Sequence, residues 1–136
     1  MDISRFKQQH VQILDGIAEL RNLAHAGIAG NAEAIARKVD QLSQVVTRHL
    51  AVEDRILYPA VQKANTPELA RMGENYQNEM QGIANAYIAF SRRWSHAKAL
   101  RDTPEAFRRE ANTVLKTVFT RMQKENHEFY PAVEAM

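Results

Sequence analysis

Apolar residues recur every three or four positions along four long stretches of the chain, a spacing that predicts amphipathic α-helices. The predicted helices cover about 3–26, 31–63, 67–96 and 104–134, and no stretch has the alternation of a strand. Each helix is expected to bury one apolar face, made by Phe6, Ile13, Ile17, Leu20 and Ala24 in the first, Leu42, Val46, Ile56 and Ala60 in the second, Leu69, Met72, Ile83, Ala86 and Phe90 in the third, and Val114, Val118, Met122 and Phe129 in the fourth.

Turn and capping residues mark the boundaries of these helices. The segment AGIAGN at 26–31 carries two glycines and an asparagine, and it separates the first two helices. The tripeptide Thr-Pro-Glu occurs at 66–68 and again at 103–105, with threonine at the N-cap position, proline at the first helical position and an acid in the first turn. Because short links make consecutive helices antiparallel, the sequence predicts an all-α, up-down-up-down four-helix bundle.

Composition narrows the class of protein further. At 136 residues the chain is the size of one domain, spanning 1–136, and it contains no cysteine, so a metal would be held by nitrogen and oxygen. It has no apolar stretch of the roughly 20 residues that a membrane span needs, and its first residues do not resemble a secretory signal. We therefore expect a cytoplasmic protein with no membrane partner. A net charge of +2, spread along the chain, gives no reason to expect nucleic-acid binding.

The two halves of the chain contain a short repeat. The tetrapeptide Tyr-Pro-Ala-Val at 58–61 recurs at 130–133, and at the same offset Glu53 corresponds to Glu125 while His49 corresponds to Arg121. This pattern favours a duplicated helical hairpin. Proline removes a backbone hydrogen bond inside a helix, so the second and fourth helices are expected to bend near the same end of the bundle.

Polar residues interrupt the apolar face of every helix. His49 and Glu53, four positions apart, share the buried face of the second helix and can point at one ion. Buried carboxylates repel one another, and a bound cation would offset that repulsion. The polar groups expected at the bundle axis are His10, His49, Glu53, Tyr76, Glu79, Arg121 and Glu125. The alternative is a metal-free network in which Arg121 neutralises Glu53 or Glu125.

His10 in the first helix, together with His49-x-x-x-Glu53 and the following Leu-Tyr-Pro at 57–59, resembles the HHE cation-binding domain of the hemerythrin-like family over essentially the whole chain. The resemblance implies a bundle that holds two iron ions with about five histidines and two bridging carboxylates. In that family the first and third helices each supply a histidine, and the second and fourth each supply an H-x-x-x-E motif.

The second half of this sequence departs from the family pattern. Tyr76 stands where the third helix should offer histidine, and Arg121-x-x-x-Glu125 stands in place of the second H-x-x-x-E motif. Glu79, one turn from Tyr76, could replace the missing ligand or pair with Arg121. The predicted ligands are therefore His10, His49, Glu53, Glu79 and Glu125. Tyr76, interpreted as a core tyrosine rather than a phenolate ligand, and Arg121 are expected to contact the ligands without binding the ion.

Two functions follow as hypotheses. The first is a non-haem iron protein, mononuclear or dinuclear, that binds or senses oxygen, nitric oxide or peroxide, or serves iron handling; zinc and manganese suit the same donors. The donor set is nearer to the carboxylate-rich di-iron bundles than to an oxygen carrier. The second is a regulatory or interaction bundle whose metal site is vestigial or structural. No nucleophile–base pair or phosphate-binding loop identifies an enzyme. The three other histidines are expected to take no part: His25, His96 and His127.

Overall fold

The computed structural model describes residues 1–64 and 66–136, and within them the chain is helical with no strand. Two of the long helices each contain a five-residue π-helical segment, Glu53–Leu57 and Glu125–Phe129, in which the backbone hydrogen bonds span five residues instead of four. The α-helices are α1 (Ser4–Ala26), α2 (Ala32–Val52), α3 (Tyr58–Gln62), α4 (Pro67–Trp94), α5 (Ala97–Asp102), α6 (Pro104–Lys124) and α7 (Tyr130–Glu134).

These elements form four antiparallel rods. The first rod is α1 and the third is α4, whereas the second runs from α2 through its π segment into α3, and the fourth runs from α6 into α7. Helix α1 packs against α2, α2 against α4, α4 against α6, and α6 against α1, which closes the bundle. The predicted all-α four-helix bundle is confirmed.

The connections differ in one respect from the sequence prediction. Between the third and fourth rods the chain forms the short helix α5, where only a link was expected. Leu100 of α5 is completely buried and fixes this helix to the bundle core. The hydroxyl of Thr103 donates a hydrogen bond to the carbonyl of Ala99, 2.9 Å away, so this threonine closes α5 instead of capping α6 with its side chain.

The π segments change which side chains face the core. In each, the N–H of the tyrosine before the proline donates to the carbonyl of the glutamate that opens the segment, Tyr58 to Glu53 and Tyr130 to Glu125. The extra residue in the turn shifts the helical register by one position. For that reason the prediction that Ile56 belongs to the core was wrong: Ile56 is 45% exposed, and Leu57 is buried in its place.

The third rod also faces the core in a different register from the one predicted. Ala86 is exposed, and Ile83 is only partly buried. The side chains that fill the core from α4 are instead those of Tyr76, Met80, Ala84, Tyr87, Phe90 and Trp94. Tyr87 and Trp94 carry polar atoms that find partners, since the Tyr87 hydroxyl donates to the Val39 carbonyl at 2.9 Å. Aromatic residues with satisfied polar ends pack well in a core.

The apolar core is divided into two clusters. The larger fills the bundle from α5 towards its middle and includes Ile13, Val46 and Met122. The smaller lies at the end where the π segments continue into α3 and α7, and it includes Phe6 and Phe129. Along the chain, four buried ionisable residues lie between residues of the two clusters: His10, His49, Glu53 and Glu125. None of the helices in residues 1–64 and 66–136 has the length and apolar character needed to cross a membrane.

Gly73 allows the second and third rods to pack closely against each other. A Cβ atom at Gly73 would lie 2.6 Å from the Cγ1 atom of Val61, which is completely buried. We expect Gly73→Ala to lower the free energy of unfolding by about 1–3 kcal/mol, the usual cost of overpacking a core. Gly82, on the same helix with no atom near its Cβ position, is the matched control. Gly82→Ala should raise stability by up to about 1 kcal/mol through helix propensity. If Gly73→Ala and Gly82→Ala change the free energy of unfolding equally in urea denaturation, the close contact between Gly73 and Val61 is contradicted.

Candidate metal centre

Four ionisable side chains from three rods meet in the buried polar layer. His10 comes from α1, His49 from α2, and Glu53 and Glu125 each open a π segment. Each of the four is at most 1% exposed. One ligand atom from each lies within 4.8 Å of every other, a spread close to the about 4.2 Å that separates opposite ligands of an ion bound at about 2.1 Å.

The individual distances show how closely the donor atoms converge. The Nε2 atoms of His10 and His49 are 3.1 Å apart. His10 Nε2 lies 3.0 Å from Glu125 Oε1, and His49 Nε2 lies 3.2 Å from Glu53 Oε1. The His49–Glu53 pair owes its geometry to the four-residue spacing along one helix face. Glu125 reaches the same place from the fourth rod because it occupies the corresponding position in the repeat.

The outer nitrogen of each histidine is held by an amide. His10 Nδ1 is 2.8 Å from Asn126 Oδ1, and His49 Nδ1 is 2.7 Å from Gln9 Oε1. An amide oxygen accepts a hydrogen bond, so each Nδ1 carries the ring proton and each neutral ring turns the lone pair of Nε2 towards the other. Fixing the outer nitrogen in this way is how metal-binding histidines are usually oriented.

Each carboxylate has one oxygen engaged and one oxygen free. Glu53 Oε2 accepts a hydrogen bond from the hydroxyl of Tyr130 at 3.0 Å, and Glu125 Oε2 accepts one from Arg121 Nε at 2.7 Å. The other oxygens, Oε1 of both glutamates, are buried with no hydrogen-bond donor among the described residues. Buried acceptors without a donor are costly, so these two atoms mark a place that a cation would stabilise.

Arg121 binds Glu125 through Oε2, whereas His10 lies beside Oε1 of the same carboxylate. Arg121 Nη1 lies 3.0 Å from Glu79 Oε2, its Nη2 donates to the backbone carbonyl of Tyr76, and its Cζ is 4.3 Å from the centre of the Tyr76 ring. The hydroxyl of Tyr76 donates to Glu128 at 2.8 Å. The guanidinium thus forms charge-assisted hydrogen bonds and a cation–π contact in a nearly buried position.

The donor set fits a metal ion. Two imidazole nitrogens and two carboxylate oxygens present lone pairs to one another when both Nδ1 atoms are protonated, and among the described residues only the Tyr130 hydroxyl offers a proton to one of them, His10 Nε2. A divalent cation removes this mismatch, because neutral imidazole and carboxylate are its natural ligands. The four residues that would hold it are His10, His49, Glu53 and Glu125.

The two buried carboxylates differ in acidity without a metal. Burial and the charge of Glu125 raise the pKa of Glu53 above its ordinary value, despite the opposing effect of the histidines. Burial also acts to raise the pKa of Glu125, but the adjacent imidazole of His10 and the charge of Arg121 outweigh burial and lower it. Burial acts to lower the pKa of His49, but the nearby carboxylates of Glu53 and Glu125 together outweigh burial and raise it. Glu53 is therefore the carboxyl that takes up a proton most readily.

These pKa directions give the metal-free protein a distinct pH dependence. A carboxyl with a raised folded pKa destabilises the fold as pH rises above its unfolded value of 4.5, and the stability from His49 is lost as pH rises past its folded pKa, above 6.5. The lowered pKa of Glu125 acts only below 4.5. We expect the chelated protein to lose stability between about pH 5 and pH 8. Metal binding favours ionised carboxylates and neutral histidines. At a free metal concentration of 100 times its Kd, the metal should add about 2.7 kcal/mol to the free energy of unfolding.

Urea denaturation of chelated and metal-loaded protein across that range measures both effects. The difference in unfolding free energy should widen towards pH 8. If the two forms show the same stability at every pH, the polar layer is self-sufficient and binds no ion in the folded state.

The structure places the residues singled out in the sequence in two groups. Four of the five predicted ligands come together: His10, His49, Glu53 and Glu125. Glu79 is not among them, because its side chain is 57% exposed and pairs with Arg121. Tyr76 is a buried tyrosine whose hydroxyl binds Glu128, away from the four ligand atoms.

Three contributors were missed by sequence reasoning: Gln9, Asn126 and Tyr130. Gln9 and Asn126 each adjoin a candidate ligand in the chain, and each orients a histidine on another rod. The Tyr130 hydroxyl lies 2.8 Å from His10 Nε2 as well as 3.0 Å from Glu53. The repeated Tyr-Pro pair was the available signal for Tyr130, but it was interpreted only as a bend. The histidines expected to take no part are exposed: His25, His96 and His127.

Comparison with known proteins agrees with this geometry. The family model described as the hemerythrin HHE cation binding domain matches residues 1–133, nearly the whole chain. Searches of curated proteins and of solved structures gave no match. The family match covers all four rods and each of the four converging side chains. The chain therefore belongs to the hemerythrin HHE cation-binding domain family.

Proposed function

We propose that this protein holds a non-haem iron ion on His10, His49, Glu53 and Glu125. The observation that carries the proposal is the convergence of four buried lone-pair atoms within 4.8 Å. Two histidines with carboxylates are the donor set typical of non-haem iron proteins that react with oxygen. Zinc and manganese bind the same donors, so iron rests on the family and on this ligand combination.

The surrounding residues would hold the four ligands in position. Gln9 and Asn126 fix the rings of the two histidines, and Tyr130 holds Glu53 through its second oxygen. Arg121 does the same for Glu125. We assign Glu79 the role of a partner to Arg121 and not of a ligand, because its carboxylate is largely in solvent.

We further propose that the ligand of this iron is a small molecule such as oxygen, nitric oxide or peroxide. The four candidate ligands are almost completely buried, which leaves no room for a bulky substrate beside them. Bound iron would supply coordination positions that four protein donors leave open, since iron commonly takes up to about six ligands. Burial in a low-dielectric layer also protects such a complex from water.

A cleft at the surface offers an entry for such a molecule. It has a volume of about 320 Å³ between α4 and α6, and Arg121 forms part of its wall. Lys116, Lys124 and Glu79 line the same cleft, so its wall is polar and carries charges of both signs. Arg121 in turn contacts Glu125, so a small molecule that enters here would have to pass the Arg121 side chain to reach the candidate centre.

The test is reaction of iron-loaded protein with nitric oxide in the absence of oxygen, followed by visible absorption. We expect a new absorption band with a one-to-one dependence on bound iron, and no band with His49→Ala. His127→Ala removes an exposed histidine near Glu125 in sequence and should behave like the unaltered protein. A larger ligand such as imidazole should leave the spectrum unchanged.

If iron binds but nitric oxide leaves the spectrum unchanged, the ion has a structural role. That result would favour the alternative function, a regulatory or interaction bundle with a structural site. If no metal binds, the same alternative holds with a vestigial site, and Arg121 would serve to neutralise Glu125 within a metal-free network.

A further inference from the structure

Both glutamates use one carboxylate oxygen for a hydrogen bond within the protein. A carboxylate that bridges two metal ions commonly gives one oxygen to each ion, and the family resemblance implies such bridges. Here Glu53 Oε2 is bound by Tyr130 and Glu125 Oε2 by Arg121. Oε1 of each glutamate faces the histidines and has no donor among the described residues. The carboxylates are therefore arranged as terminal ligands of one ion.

The repeat shows what replaces the second half of the site. Arg121 corresponds to His49 at the offset that relates Tyr58-Pro59 to Tyr130-Pro131. Its guanidinium binds Glu125, Glu79 and the Tyr76 carbonyl, and it is 4% exposed. A second ion bound by the fourth rod would need this same volume beside Glu125.

The two tyrosines of the repeat, Tyr58 and Tyr130, also differ in their contacts. The hydroxyl of Tyr130 pairs with Glu53, whereas that of Tyr58 is buried with no hydrogen-bond partner in the part of the chain that the structure describes. Glu125 is bound by Arg121 instead of by a tyrosine, with Arg121 Nε 2.7 Å from Glu125 Oε2.

The buried charges also favour a single ion. Glu53 and Glu125 supply two negative charges in the buried layer, and the guanidinium of Arg121 already lies beside Glu125. A second divalent ion beside a guanidinium would be uncompensated in a buried layer, which is costly.

We propose that the centre is mononuclear and that the guanidinium of Arg121 occupies the place and supplies the positive charge of a second metal ion. The proposal rests on the proposed metal binding by His10, His49, Glu53 and Glu125. It departs from the dinuclear centre that the family resemblance implies, and the departure follows from residues on α4 and α6.

Metal content separates this proposal from the one on which it rests. The full chain is chelated, dialysed against excess Mn(II), freed of unbound metal and analysed for manganese per chain. A ratio of one is expected, with the electron paramagnetic resonance spectrum of an isolated ion. A ratio of two, with the spectrum of exchange-coupled ions, would overturn the mononuclear proposal while leaving metal binding intact. A ratio of zero with manganese and also with Fe(II) added in the absence of oxygen would instead remove the proposed metal binding and this inference with it.

A pair of variants tests the part played by Arg121. Arg121→His with Tyr76→His restores the two histidines that the family pattern expects, and the ratio should rise from one to two. Arg121→Lys keeps the positive charge and is the matched control, with an expected ratio of one. A ratio of one in the double variant, with helical circular dichroism unchanged, would contradict the claim that Arg121 excludes the second ion. If the double variant does not fold, the ratio and spectrum of the unaltered protein decide between one ion and two.

Discussion

Replacing His49 with alanine is expected to abolish stoichiometric metal binding. His49 Nε2 faces Glu53 Oε1 at 3.2 Å and His10 Nε2 at 3.1 Å, so its loss removes one of four converging donors and leaves a space beside the others. Loss of an orienting partner alone typically lowers metal affinity by about 10–100-fold, and loss of a ligand should exceed this. The measurement is calorimetric titration of chelated protein with Fe(II) or Zn(II).

His127→Ala provides the matched control for this change. His127 is a histidine of the same π segment as Glu125, but its side chain is exposed. Its removal should leave affinity and stoichiometry unchanged, and both variants should keep the helical circular dichroism of the unaltered protein. Full metal binding by folded His49→Ala would show that the ion lies elsewhere.

Replacing Arg121 with methionine is expected to lower the free energy of unfolding of the chelated protein by about 3–5 kcal/mol, the usual cost of leaving one charge of a buried pair without its partner. The change leaves Glu125 Oε2 buried without its 2.7 Å hydrogen bond, and it also removes the donor to the Tyr76 carbonyl. The pKa of Glu125, which Arg121 helps to lower, should rise. Urea denaturation measures the loss, and a cost below about 1 kcal/mol, typical of exposed pairs, would contradict the buried-pair assignment.

Double-mutant cycles separate the two carboxylates that Arg121 contacts. The cycle of Arg121→Met with Glu125→Gln should show a large coupling energy, because both side chains are buried. The cycle with Glu79→Gln should show about 0.2–1 kcal/mol, as expected for a pair with one side in solvent. A marked loss of metal affinity in Glu79→Gln would instead identify Glu79 as a ligand.

The helices and their order could be predicted from the sequence because local signals act together. Apolar spacing, the glycines of 26–31 and the two Thr-Pro-Glu segments each depend only on neighbouring residues. The convergence of His10, His49, Glu53 and Glu125 followed from the same spacing, since the polar residues replaced apolar ones on faces that had to be buried.

Features that depend on the path of the backbone could not be predicted in this way. The π segments insert one residue into a turn, so helical periodicity carried past Glu53 placed Ile56 in the core instead of Leu57. Glu79 lies one turn from Tyr76, but spacing alone does not tell the centre of a buried face from its edge. The contacts of Gln9 and Asn126 run between rods, and no local pattern encodes them.

Anomalous diffraction from a crystal of the manganese-loaded protein, recorded near the manganese absorption edge, tests the metal centre most directly. The account predicts one peak per chain between His10 Nε2, His49 Nε2, Glu53 Oε1 and Glu125 Oε1, at about 2.0–2.3 Å from each, with Arg121 still bound to Glu125. A crystal with no peak in this layer, or with its peak on Glu79 at the surface, would contradict it.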